Sequence, residues 1–162
     1  MKNYEINADT LALVPYGKGK TKVYERDDDF VVNMLPLNII KNSCLFFGST
    51  FEGRKEAAKE ILSIEMKVPI IIEESRKIIF FPVVDNSDDT IWISYQNLVK
   101  YSKIGTLSTM LYFCNNKRID IDVKCNLVDN QFVRSMKFNS FLEKRANFLE
   151  NKNFIDNNLT II

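Results

Sequence analysis

The stretch NSCLFFGSTFEGRKEAAKEI, from Asn42 to Ile61, interrupts a chain that is otherwise rich in strand-like segments. Apolar residues recur at helical spacing on both sides of Gly48. Since glycine commonly ends a helix, the pattern predicts a first helix from Pro36 to Phe47 and a second from about Thr50 to Ser63. We expect a tight Gly-Ser turn between the two helices.

The second predicted helix begins with a capping box, in which the Ser49 hydroxyl and the Glu52 carboxylate each serve a backbone amide. On a helical wheel its apolar residues form one arc, and Arg54 falls inside that arc. A stripe of glutamates lies away from Arg54 and is a poor fit to DNA phosphates. Arg54 therefore either forms a semi-buried ion pair or projects towards a partner, and the sequence leaves both open. The arc comprises Phe51, Ala57, Ala58, Ile61 and Leu62, and the stripe comprises Glu52, Glu56 and Glu60.

Strand patterns fill the chain on either side of this helical pair. The segments YEI, LALVP, TKVYE and FVVNM precede it, and VPIIIEE with KIIFFPVV forms a predicted hairpin after it. Further predicted strands are TIWISY, LVKYSKI, TLSTMLYF and RIDIDVK. Two tail helices are predicted at about Val128–Phe138 and Phe141–Glu150, the second begun by a capping box of Ser140 and Glu143. The predicted fold is one α+β domain over residues 1–162, a bent antiparallel β-sheet with a mid-chain helical pair and C-terminal helices.

The composition excludes the common catalytic and metal-binding classes. The 162 residues include no histidine, which removes serine–histidine and cysteine–histidine catalysis and every histidine-ligated metal site. Cys44, Cys114 and Cys125 are odd in number and unclustered, as is typical of reduced, buried thiols. The chain lacks an apolar signal core and the roughly 20 apolar residues of a membrane helix. We therefore expect a cytoplasmic protein that is not an enzyme, binds no metal or cofactor and enters no membrane.

Charge is unevenly distributed, although the formal net charge is only +1. Acidic residues dominate from Glu60 to Trp92, and basic residues dominate from Lys100 to Lys152. This asymmetry favours a face that meets a polyanion, whereas charges that merely cover a solvated surface produce a similar pattern.

The segment RIDIDVK offers an alternative function. As a strand it places Asp120, Asp122 and Lys124 on one face. Two carboxylates and a lysine in this spacing end a common magnesium-dependent nuclease signature, in which carboxylates hold the ion and the lysine orients a water. A further carboxylate, such as Asp85 or Asp88, has to join them for this chemistry.

The segment SCLFFGSTFEGRK, Ser43–Lys55, closely resembles the signature of the ComK competence transcription factors. VNMLPL, KVPIII, FFP, WIS and NQFVR occur at similar separations, and the resemblance spans about residues 1–145. It implies an activator of DNA-uptake genes that binds paired A/T-rich boxes in double-stranded DNA through the minor groove, bends the DNA and self-associates. It also implies a proteolytic adaptor that binds C-terminal residues, but the longer basic tail associated with that contact does not follow the second predicted tail helix. A protein-interaction homologue that has lost DNA binding is the other alternative.

The expected DNA contacts lie around the start of the second predicted helix. Minor-groove readers insert arginine or lysine where a narrow A/T-rich groove concentrates negative potential. Hydroxyls and amides at a helix start are suited to a phosphate. The predicted set is Arg54 and Lys55 first, then Lys41 and Lys59, with Asn42 as a polar reader and Ser49 and Thr50 as phosphate ligands.

Overall fold

The strands of the chain form two antiparallel sheets. A computed structural model describes residues 3–84 and 90–160, with side chains up to Asn151. In chain order the elements are β1 Thr10–Pro15, β2 Thr21–Glu25, β3 Asp29–Val32, α1 Pro36–Phe46, α2 Phe51–Leu62, β4 Ile70–Glu73, β5 Ile78–Val83, β6 Ile91–Ser94, β7 Leu98–Gly105, β8 Ser108–Phe113, β9 Arg118–Ile121 and α3 Cys125–Thr160. The first six strands form one sheet in the order β3-β2-β1-β6-β5-β4, and β7, β8 and β9 form the other in chain order.

The larger sheet lies in the middle of the molecule. Its strands β5 and β6 are buried at every position, which explains their continuous apolar sequences. On one face, Leu13 packs in a core cluster with Ile39 of α1. On the other face, Phe81 packs in a second cluster with Leu111 of β8. The α1–α2 pair and the smaller sheet therefore cover opposite faces, and the predicted α+β class is confirmed with two sheets in place of one bent sheet.

The smaller sheet has one buried and one solvent-facing side. Residues Leu111 and Phe113 of β8 are buried, whereas the alternate residue Tyr112 is only half-buried. In β9, Ile119 is buried while its neighbour Arg118 is exposed. This alternation is the expected pattern of a sheet that packs one face on a core.

The turn between α1 and α2 differs from the predicted capping box. Gly48 adopts a left-handed φ of 85°, and the Ser49 amide donates to the Cys44 carbonyl at 2.9 Å, as in a Schellman motif. Because Ser49 belongs to the end of α1, Thr50 caps α2, and its Oγ1 accepts a hydrogen bond from the Gly53 amide at 3.1 Å. The third helical residue is consequently Gly53 rather than the predicted glutamate.

Two smaller predictions are wrong, one about α2 and one about the amino-terminal segment YEI. Ala57 is exposed and does not belong to the side of α2 that packs against the core. The YEI segment is not a strand, and hydrogen bonds to side chains of α1 and β2 hold it against the fold instead. The Ile6 amide donates to Ser43 Oγ at 2.9 Å, and the Tyr4 hydroxyl donates to Glu25 at 2.6 Å.

A single helix, α3, replaces the two predicted tail helices. Ser140 lies inside it and is exposed, so it does not begin a new helix. Phe138 and Leu142 on either side both pack against the core, and a mid-helix serine costs only about 0.5 kcal/mol relative to alanine. Upstream, Gln131 fixes α3 to the sheet by donating to the Pro82 carbonyl at 2.8 Å. Among the described residues, no helix combines the length and apolarity needed to cross a membrane.

Asn97 joins several segments of the two sheets through its buried side chain and its backbone carbonyl. Its amide nitrogen donates to the carbonyls of Ala8 and Thr10 at 3.1 and 3.2 Å. Its amide oxygen accepts from Arg26 at 3.1 Å, and its backbone carbonyl accepts from the Cys114 amide at 3.0 Å. The start of β1 and the ends of β2 and β8 are therefore held at the loop that precedes β7.

We expect Asn97→Ala to lower the free energy of unfolding by about 2–3 kcal/mol, because the buried Thr10 carbonyl loses a donor and the amide network is removed. Urea denaturation followed by circular dichroism measures the change. Gln96→Ala, at the exposed neighbouring position, is the control and should stay within about 0.5 kcal/mol of the unaltered protein. Equal stability of the two variants would contradict the role assigned to Asn97.

Candidate nucleic-acid interface

Arg54 is held in an ion pair beneath the β4–β5 turn. Its Nη1 lies 2.7 Å from Glu74 Oε1, and its side chain is only 17% exposed. Its Nε is buried and has no acceptor among the described residues. Of the two alternatives that the sequence left open, the structure contains the ion pair, which ties the start of α2 to the β4–β5 hairpin. A contact between Arg54 and DNA stays a prediction.

Two of the predicted lysines lie beside carboxylates. Lys41 Nζ is 4.0 Å from Glu52 Oε1 and 5.6 Å from the centre of the Phe51 ring. Lys59 Nζ is 3.5 Å from Glu56 Oε1. A neighbouring carboxylate offsets the positive potential that a phosphate experiences. The two lysines therefore add less positive potential than their number indicates.

Lys55 differs from these lysines because no carboxylate pairs with it within residues 3–84 and 90–151. It is half-buried and lines a groove of about 360 Å³ between α2 and the sheet. Phe51 and Val68 form part of its apolar wall, and Lys67 adds a second cation. Trp92 also lines the groove, and its indole N–H is buried without an acceptor among the described residues. Lys55 is therefore the cation of the predicted set that is best placed to attract an anion.

The polar members of the predicted set are split by the turn. Asn42 is exposed on α1, and Thr50 is exposed although its hydroxyl oxygen already accepts the capping hydrogen bond. The hydroxyl of Ser49 is buried, with no partner in the part of the chain that the structure describes. Asn42 and Thr50 are thus accessible to a ligand, whereas the hydroxyl of Ser49 faces the interior.

Several residues of the SCLFFGSTFEGRK segment serve the fold directly. Ser43 is buried, and its hydroxyl accepts from the Ile6 amide at 2.9 Å and donates to the Ile39 carbonyl at 2.7 Å. Burial raises the pKa of the Cys44 thiol to about 11, an effect that nearby Arg54 opposes. Because the thiolate is the nucleophilic form, Cys44 is an inert core thiol at neutral pH.

The predicted nuclease triplet does not lie on one strand. Asp120 belongs to β9, but that strand ends at Ile121, and Asp122 and Lys124 lie beyond its end. In the described residues, no group of three or more acidic, cysteine or histidine side chains is arranged to hold a metal ion. The further carboxylates considered for this site, Asp85 and Asp88, lie outside the described residues.

The structure adds a cationic surface that the sequence did not single out. Lys100 of β7, Tyr112 of β8 and Arg118 of β9 are direct partners across the smaller sheet. Lys100 Nζ lies 4.8 Å from the centre of the Tyr112 ring, and Arg118 Cζ lies 5.5 Å from it. We call these three residues the cationic row. The basic excess from Lys100 onward was its only signal in the sequence, since strand register decides which charges meet.

A double-mutant cycle on Arg54 and Glu74 tests the structural role of the ion pair. We expect Glu74→Ala to lower the free energy of unfolding by about 1 kcal/mol, because it leaves a mostly buried guanidinium without its carboxylate. The double variant Arg54→Ala, Glu74→Ala should lose less stability than the sum of the losses of the two single variants. Urea denaturation provides the energies, and Glu60→Ala on the exposed stripe is the control. An Arg54→Ala variant that melts normally but loses affinity for DNA would instead assign this residue to the ligand.

The chain as a whole is similar to one family of known proteins. The family described as ComK protein matches residues 1–147. A competence transcription factor of Bacillus subtilis (strain 168) is 34% identical over 139 residues, which are 83% of this chain and 72% of that relative. No solved structure matches the chain. The resemblance read from the sequence is confirmed, and the chain belongs to the ComK family.

Proposed function

We propose that the chain is a DNA-binding transcription activator of competence genes. It binds A/T-rich promoter boxes through the minor groove, bends the DNA and self-associates there. The observation that carries this proposal is the family membership, together with the 34% identity to a protein named as a competence transcription factor. The protein acts in the cytoplasm, at the nucleoid when it is bound to DNA, and requires no cofactor.

The turn between α1 and α2 supports an approach to the minor groove. Glu56 and Glu60 are exposed along the outside of α2, so this helix is a poor reader of the major groove. Lys55 and Thr50 lie at its first turns, and Asn42 is exposed nearby on α1. The DNA therefore meets the start of α2 and the adjoining end of α1 rather than the length of α2. Contact residues remain the predicted set, Lys55 leading, with Arg54, Lys41, Lys59, Asn42, Ser49 and Thr50.

Two exposed apolar side chains next to this turn support DNA bending. Leu45 and Phe46, at the end of α1, are 61% and 66% exposed. Minor-groove proteins commonly insert apolar side chains between base steps and so kink the duplex. Phe46 lies one helical turn after Asn42, so a base-reading amide and an apolar wedge share one face of α1.

The second half of α3 supports self-association or contact with a proteolytic adaptor. Phe148 and Leu149 are 65% and 51% exposed, and Lys144 and Arg145 beside them are also exposed. A helix that exposes both apolar and basic side chains is suited to binding another protein. The bound partner is a second copy on DNA during activation and the adaptor when the factor is degraded.

Binding to A/T-rich duplex DNA tests the function. We expect the protein to retard a duplex that contains two A/T-rich boxes more strongly than a G/C-rich duplex of equal length. A drug that occupies the minor groove should compete with the protein, because both use the same groove. Gel shifts with magnesium present measure affinity and DNA integrity together. Absence of binding at low salt would refute the proposal, and cleavage abolished by Asp122→Ala would favour the nuclease.

Lys55→Ala tests the proposed contact surface. Removing one phosphate contact should reduce the slope of log affinity against log salt by about 1 and weaken binding to all duplexes. Lys18→Ala, in the exposed β1–β2 turn, removes the same charge and is the control. Identical losses in both variants would attribute the effect to net charge and contradict a specific role for Lys55.

A further inference from the structure

We propose that the cationic row, Lys100, Tyr112 and Arg118, is a second surface that binds the phosphate backbone of duplex DNA. This inference rests on the proposed function, since its ligand is the same DNA. It assigns contacts to the smaller sheet, on the far side of the molecule from the turn between α1 and α2.

The row is formed by strand register. Lys100 is the direct partner of Tyr112, and Tyr112 is the direct partner of Arg118. Because β8 lies between β7 and β9, the two cations approach the ring from the two neighbouring strands. Contacts of 4.8 and 5.5 Å to the ring centre hold both side chains over the sheet, since the ring attracts cations to its face. The ring therefore orients two charges that would otherwise sample many rotamers in solvent.

The charges of the row are available to an external anion. Neither Lys100 nor Arg118 forms an ion pair with a carboxylate within residues 3–84 and 90–151. This distinguishes them from Arg54 at the start of α2, whose guanidinium is 2.7 Å from a carboxylate. Asp120, which follows Arg118 on β9 opposite Met110, is an exposed acidic side chain next to the row, and exposed Asp122 lies beyond the end of β9.

The surroundings of the row fit an extended polyanion. Lys100, Tyr112 and Arg118 line a surface depression of about 340 Å³, and Asn116 also lines it. The lysine and arginine are pure hydrogen-bond donors, and the asparagine and tyrosine add donors suited to phosphate and sugar oxygens. The ring separates the two cations, so they suit successive phosphates of one backbone better than a single small anion. Arginine and lysine contacts of this kind supply affinity and position without base recognition.

The layers of the fold place the two proposed surfaces on opposite sides. The helical pair covers one face of the larger sheet, and the smaller sheet covers the other. Packed layers are about 10 Å apart, so a straight duplex at the α1–α2 turn does not reach the outer face of the smaller sheet. The row therefore contacts a part of the DNA that is bent around the protein or a neighbouring segment.

The salt dependence of DNA binding measures how many phosphates the row contacts, because each contact adds about 1 to the slope of log affinity against log salt. Fluorescence anisotropy with a labelled two-box A/T duplex is measured over a range of salt concentrations. For the double variant Lys100→Gln, Arg118→Gln we expect the slope of log affinity against log salt to fall by about 2, and affinity at physiological salt to fall about tenfold or more.

Lys103→Gln is the matched control. It removes one exposed lysine from the same strand, and its partner in register is Thr109, on the buried side of β8. Relative to the unaltered protein, Lys103→Gln should change the slope of log affinity against log salt by less than half as much as Lys100→Gln alone. Circular dichroism melting establishes that each variant is folded. If the double glutamine variant is destabilised, the variant Lys100→Arg, Arg118→Lys tests the row instead. It keeps both charges and should therefore keep the slope of the unaltered protein.

The outcomes separate this inference from the function on which it rests. If the unaltered protein binds no duplex even at low salt, the proposed function fails. If it binds but the folded double glutamine variant keeps the same slope and affinity, the row makes no DNA contact and only this inference fails. Adding Lys55→Ala should reduce the slope further by about 1, since contacts on opposite sides are independent.

Discussion

The hydrogen bonds of Asn97 determine where the smaller sheet lies. This residue follows β6, the strand next to β1 in the larger sheet, and directly precedes β7. Its side chain holds Thr10 and Arg26, while its backbone carbonyl holds Cys114 at the end of β8. Since two strands of the smaller sheet are anchored there, β8 can cover the apolar face that Phe81 presents. The outward direction of Tyr112 follows from the same constraint, because side chains alternate along β8.

The residues of the segment that carries the family resemblance have structural roles in the fold. Ser43 links α1 to the amino-terminal segment, Gly48 supplies the left-handed turn, Thr50 caps α2, and Arg54 ties α2 to the β4–β5 turn. All of these interactions are made within the chain. The segment therefore builds a rigid corner, and the proposed DNA contact is left to the side chains that the corner exposes. A rigid corner is an advantage for recognition, because little conformational entropy is lost on binding.

The sequence predicted those parts of the fold that depend on local patterns. The two mid-chain helices, the β4–β5 hairpin and the alternation of β8 are visible as periodicity or turn residues. Capping by Thr50 was missed because Ser49 and Thr50 are both suitable N-cap residues by sequence. Only the left-handed conformation of Gly48 assigns Ser49 to the end of α1 and leaves Thr50 as the cap. The continuity of α3 was missed because core packing of Phe138 outweighs a weakly unfavourable serine. Asn97 and the cationic row depend on contacts between distant strands, which no local pattern contains.

For the proposed attraction of DNA, the arrangement of charges matters more than the net charge. A protein with a net charge of +1 has no general attraction for DNA, so the proposed binding depends on cations whose neighbours do not neutralise them. At the start of α2, an ion pair and nearby glutamates reduce the positive potential, and Lys55 is the main exception within the described residues. On the smaller sheet, an uncharged ring separates Lys100 from Arg118, so it orients both cations without cancelling either. In the proposed role of the cationic row, aromatic positioning gives a nearly neutral protein a locally strong site for phosphate, which carboxylate pairing at the same positions would weaken.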